Sequence, residues 1–160
     1  MKHVKATELP SHSVLLERIG RYDFIDCYCV ASALKPRQAA EVITDFPHWA
    51  CWLISIRNGL TKPFGLSSDP VAADKVGFFP VESDNEHELI AGFNDKHLDF
   101  RVSVMSHQGQ VFLATWVHPH NVAGAIYLNV ILPFHKLIAK DALARVRFQG
   151  MSYSNKHINF

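Results

Sequence analysis

Three small groups of side chains have types and spacings that could do chemistry. Asp99 and Arg101 stand two apart in a segment that alternates apolar and polar residues, so on a strand they share a face. If that face looks into a cavity, the Arg101 guanidinium could grip a carboxylate or phosphate in bidentate fashion, with Asp99 orienting it. If it looks outward, the pair is a surface ion pair worth about 0–1 kcal/mol. Alternation alone leaves both open. His118-Pro119-His120-Asn121 places two histidines two apart beside a helix start. A metal site needs three or four ligands, and no partner at a fixed spacing is visible, so no metal is expected. His118 could instead act at a pocket mouth as a hydrogen-bonding or general-base residue, or satisfy backbone groups in a loop. Tyr127 and His135 lie eight apart, about 80° around a helix at 3.6 residues per turn. Tyr127 could then face a cavity while His135 sits toward the flank, or caps the backbone opened by Pro133.

Other chemistries lack their residues. There is no nucleophile elbow, phosphate loop, zincin motif, nucleotide-binding fingerprint or cysteine–histidine pair of recognised spacing. No cofactor is expected. Cys27, Cys29 and Cys51 are an odd set without framework spacing, and Cys27 and Cys29 read as buried free thiols on one strand face. The net charge of +1 makes no electrostatic case for nucleic acid. Ten histidines would steepen the rise in charge on mild acidification.

Positioning these groups falls to a recognisable series of elements. Residues 1–20 read as an arm, with one short helical turn over Val14 to Ile19. Tyr22 to Ala33 is aromatic and β-branched and reads as a strand. Pro36 opens a helix through Asp45. Pro47 opens a second, with Trp49, Trp52, Leu53, Ile56 and Leu60 on one face. A loop follows over Leu66 to Lys75. Strands are expected over Val76–Glu82, Glu88–Phe93, His97–Met105 and Val111–His118. Gly77 would serve a bulge or close approach, Pro80 an edge or kink, and His107-Gln-Gly-Gln110 a hairpin turn. Asn121 is the N-cap of a long helix to Phe148, apolar in its first half, amphipathic and basic in its second, with Pro133 inside. Its longest apolar run falls short of the roughly 20 residues a membrane span requires. The arm carries no signal core, so a soluble cytoplasmic protein without an integral membrane segment is expected, with a flexible tail over 151–160.

This order, an antiparallel sheet and then one apolar helix, resembles the helix-grip fold of the START-like superfamily. The runs Trp52-Leu-Ile-Ser-Ile-Arg-Asn-Gly-Leu60, Gly77-Phe-Phe-Pro-Val81, His97-Leu-Asp-Phe-Arg101 and Leu132-Pro-Phe-His135 resemble more closely a bacterial family known only as domain of unknown function 2867. The resemblance implies an α+β domain over 21–150, its sheet curved around the C-terminal helix, with two short helices after the first strand. It implies no activity.

A sheet rolled around one helix leaves space between them. The function expected is therefore binding of a small, mostly apolar ligand by a monomer or homodimer. Phe79, Phe100, Trp116 and Tyr127 would supply apolar surface, Arg101 with Asp99, or His118, the orienting contact, and His135 the flank. The alternatives are a cyclase-, hydratase- or hydrolase-type enzyme using Asp99, Arg101 and His118 in that cavity, and a protein-interaction module.

Overall fold

A computed structural model describes residues 3–46 and 74–157. Its chain order is β1 (Lys5–Ala6), a 3-10 turn (Val14–Arg18), β2 (Phe24–Ala31), α1 (Pro36–Thr44), β3 (Lys75–Val76), β4 (Phe79–Asp84), β5 (Glu88–Asn94), β6 (Leu98–His107), β7 (Gln110–Pro119) and α2 (Val122–His157). The strands form one antiparallel sheet in the order β1-β2-β7-β6-β5-β4-β3. The α+β architecture expected from the sequence is the one observed.

Local chemistry accounts for most element ends. The Ser13 side chain accepts from Leu15 N and caps the 3-10 turn. Pro36 occupies the first turn of α1, and Lys35 N donates to Gln38 Oε1 across its start at 3.1 Å. Gln108 and Gly109, both at positive φ, make the two-residue turn from β6 to β7. Asn121 caps α2, its Oδ1 accepting from Gly124 N at 3.0 Å.

Two expectations need correction. Val76–Glu82 is not one strand: the chain folds back at Gly77 and Phe78, pairing Val76 with Phe79. Gly77 has φ +59°, and a Cβ there would come within 2.8 Å of Thr44 Cβ, so a turn and a close approach both demand glycine. Pro80 is followed by a register shift between Val81 and Ser83. The second correction is the end of α2, which runs past Phe148 to His157. Gly150 does not stop it; a Cβ there would lie 2.4 Å from Ser32 Oγ, so this glycine serves contact with the segment after β2. The expected helix from Pro47, with Trp49 and Trp52, lies outside the described residues, as do Cys51 and residues 66–73.

The main core lies between sheet and helices. Tyr28, Val30, Leu89, Ala91, Val102, Val104, Val111 and Leu113 meet Leu34, Ala39, Ala40 and Ile43, and then Ala139, Ala142, Leu143 and Val146 of α2. All the α2 residues in this core lie from Ala139 onward. Near the start of the helix, Gly124 rests on the backbone of His97, where a Cβ would be 2.0 Å from the carbonyl oxygen. The helix is thus supported near its start and again from Ala139, about 22 Å further on at 1.5 Å per residue, and bridges the sheet between.

Candidate functional site

Beneath that bridge lies a cavity of about 260 Å³. Its sheet wall comes from Phe24 of β2, Phe79 of β4, Phe93 of β5, Leu98 and Phe100 of β6, and Thr115 and Val117 of β7. Ala123, Tyr127, Leu128, Ile131, Leu132, His135 and Ile138 form the helix wall, and Phe46 and Phe78 close one side. The aromatic rings form a connected set. Phe93 and Phe100 stack at 5.3 Å between centroids, Phe79 lies 5.5 Å from Phe100, and Phe46 stacks on Phe78 at 5.5 Å. Such a wall offers flat, polarisable surface to a ring or chain.

Four of the eight residues singled out from sequence, Phe79, Phe100, Tyr127 and His135, line this cavity. The other four do not. On β6 and β7 the lining residues are Leu98, Phe100, Thr115 and Val117, so alternation turns Asp99, Arg101, Trp116 and His118 to the opposite face.

That outer face is covered by the N-terminal arm, and its polar groups are engaged there. Leu15 packs with Cys27, Ala114 and Trp116. Glu88, 3% exposed, accepts from Ser13 Oγ at 2.6 Å and Val14 N at 2.9 Å, and also from Ser103 Oγ. Arg101 donates from Nε to Glu82 at 2.6 Å and from Nη1 to the carbonyls of Phe93 and Phe100 at 2.9 and 2.8 Å. Arg18 pairs with the same Glu82. Asp23 accepts from Trp116 Nε1 at 2.8 Å and Gly20 N at 2.7 Å, with His118 Nδ1 at 2.5 Å. Burial raises the Asp23 pKa, but these hydrogen bonds, His118's first, outweigh it and hold the carboxyl below its usual range. Asp99 Oδ2 lies 3.1 Å from His120 Nε2.

Asp95, His97, Thr115 and His135 are the polar residues of the lining, and His135 has a partner that sequence reading missed. Nε2 of His135 lies 3.2 Å from both carboxylate oxygens of Asp26, and its ring meets Phe24 edge-on at 6.1 Å. Asp26 reads in sequence as one polar residue in a strand, and its partner is 109 positions away. Period-two alternation would have put it with Phe24 and Tyr28 on the helix-facing side; the sequence holds no signal linking it to His135.

Neither thiol of β2 is poised for chemistry. Cys27 and Cys29 are free and buried, and burial, with smaller effects of Cys29 and Asp26, pushes Cys27 up to about 12. Among the described residues no group of three or more His, Cys, Asp or Glu side chains is placed to hold a metal.

The long helix has a second aspect. Val122, Ile126, Val130 and Phe134, on the face away from the cavity, are 75%, 60%, 64% and 45% exposed. By length and composition alone, Val122–Ser152 would pass as a membrane span. The same helix packs on β2, β7 and α1.

Comparison with known proteins gives a family and no reaction. No curated protein and no solved structure matches the chain. A family model described as protein of unknown function (DUF2867) matches residues 18–142, from the end of the 3-10 turn into the core half of α2. The chain belongs to the DUF2867 family.

Proposed function

We propose that this protein binds a small, mostly apolar ligand, lipid-like or aromatic, in the space between sheet and C-terminal helix. The observation that carries the reading is the aromatic cavity under the stretch of helix between Gly124 and Ala139. A core packed for stability alone leaves few voids larger than a water molecule, and an apolar void forfeits packing energy. The arrangement also supports placing the family in the START-like superfamily. The enzyme alternative built on Asp99, Arg101 and His118 loses its support, because those groups lie across the sheet from the cavity. A fluorescent fatty acid or naphthalene-type dye should bind saturably, and Tyr127→Trp should abolish binding by filling the space. Native mass spectrometry of the purified protein should show carried-through small molecules. Absence of saturable binding across a panel of lipids and aromatics would overturn the reading.

A second reading is favoured by the exposed ridge Val122, Ile126, Val130 and Phe134. These residues recur every four positions on one helix face, and no charged residue occurs between Val122 and Phe134. A second copy could pack ridge into groove there without burying a charge, giving a homodimer. Sedimentation velocity should then show a concentration-dependent dimer that Val130→Glu dissociates. A single monomeric species at every concentration would dismiss it.

A further inference from the structure

The cavity wall is apolar except at a few places, and one of these is organised from behind. His135 lines the cavity, and Nε2 is held between the two oxygens of Asp26 at 3.2 Å each. Tyr28 lies two residues along β2 from Asp26, on the same strand face. Burial first, and then the charge of Asp26, raise the Tyr28 pKa, so the phenol keeps its proton. The Lys140 ammonium lies 5.6 Å from the centre of the Tyr28 ring and brings positive charge to the same end of the cavity.

An ionised carboxylate has only acceptor capacity to offer His135. The imidazole must therefore place its proton on Nε2, toward Asp26. In the neutral ring Nδ1 is then a lone-pair acceptor, and it has no partner among the described residues. A carboxylate behind a histidine fixes tautomer and orientation, the logic by which histidine ligands are held at metal sites. Among the described residues no metal-binding group surrounds it. The cavity that it lines is walled by phenylalanine rings, Phe24 among them, edge-on to the imidazole at 6.1 Å.

We propose that His135, held by Asp26, is the polar anchor of the cavity, and that the ligand is an aromatic molecule carrying a hydroxyl group that donates to His135 Nδ1. The proposal rests on the ligand-binding reading above and names its ligand class.

The test uses the full chain and two probes of nearly equal shape, 2-naphthol and 2-methoxynaphthalene, titrated by calorimetry. The naphthol should bind about tenfold more tightly, the worth of one well-placed hydrogen bond. His135→Phe and Asp26→Asn should each bring naphthol down to the affinity of its methyl ether while leaving the ether unchanged. In the wild type, ¹⁵N imidazole shifts should report the Nε2–H tautomer and move on addition of naphthol but not of the ether. Equal binding of both probes to the wild type would overturn the anchor while leaving the cavity reading intact. Binding of neither would remove both. A naphthol preference that survives His135→Phe would overturn the anchor too, and Asp26→Asn decides the matter if that variant does not fold.

Discussion

The two faces of the sheet are built from alternate residues of the same strands, yet they treat polar groups in opposite ways. The outer face carries Glu88, Arg101, Ser103, Trp116 and Asp23, and the arm and neighbouring strands give each of them protein partners. The helix-facing side is almost wholly apolar, with Asp26 and His135 standing at one end of a cavity. Chemical capacity does not follow from residue type. Arg101 is the strongest anion-binding side chain near the cavity in sequence, but Nε and Nη1 are already committed to Glu82 and two backbone carbonyls. A polar group whose partners lie within the fold serves stability; one with a free atom on a cavity can serve a ligand.

The sharpest way to break this comparison is to damage the outer face and look for an effect on the inner one. Glu88→Ala removes the acceptor for Ser13 Oγ, Val14 N and Ser103 Oγ together, leaving buried donors unmatched. It should cost about 4 kcal/mol in urea unfolding. Arg101→Leu follows at about 3 kcal/mol, since it strands two carbonyls and leaves Glu82 with Arg18 alone. For a chain of this size that is a fall in Tm of about 10 °C. Neither variant, assayed below its Tm, should change dye affinity. Lost binding in a folded Arg101→Leu protein would return the outer face to the site.

An intermediate effect should appear where the two roles meet. Gly124→Ala adds a methyl 2.0 Å from the His97 carbonyl oxygen, so the front support of α2 must lift. The alanine gains helix propensity, and the net cost should be about 2 kcal/mol. Unlike the outer-face variants, it should also weaken dye binding severalfold, because it moves the helix wall of the cavity. Unchanged affinity would mean that the wall is positioned from its core end, Ala139 to Val146, alone.

How much of this was legible depended on the range of the interaction that decides it. Helix and strand identities follow from local pattern: Leu98, Phe100, Val102 and Val104 alternate with Asp99, Arg101 and Ser103, and β6 is there. Which set faces the helix was not readable, because the outer set is buried by an arm whose contacts, such as Ser13 with Glu88, span 75 positions. Period two looks the same whether the polar face meets water, a ligand or an arm that supplies its own acceptors. The split of β3 from β4 had a visible signal in Gly77, but contact with Thr44 decides its role. The end of α2 was hidden in the same way, because Gly150, two residues past Phe148, is in contact with Ser32, 118 positions away. Asp26 was hidden because one acid in an apolar strand carries no mark of the histidine that it meets.

The smallest expected effect is a pH-dependence confined to the outer edge. The hydrogen bond that His120 donates to Asp99 raises the pKa of His120, burial lowers it, and the Lys96 carbonyl adds to the increase. A folded-state value raised above the unfolded one contributes stability that is complete below the unfolded pKa, near 6.5, and is lost as pH rises through the higher folded value. The two side chains are 34% and 24% exposed, so the contribution should be about 0.5 kcal/mol, or 1–2 °C in Tm. The readout is the difference between wild type and Asp99→Asn, since the other histidines titrate in both. Between about pH 5.5 and 8.5 the wild type should lose that increment and the variant should not. Dye affinity should be the same for both proteins at each pH. An equal slope in Asp99→Asn would show that the imidazole gains nothing from this carboxylate, whose Oδ1 is buried without a partner among the described residues.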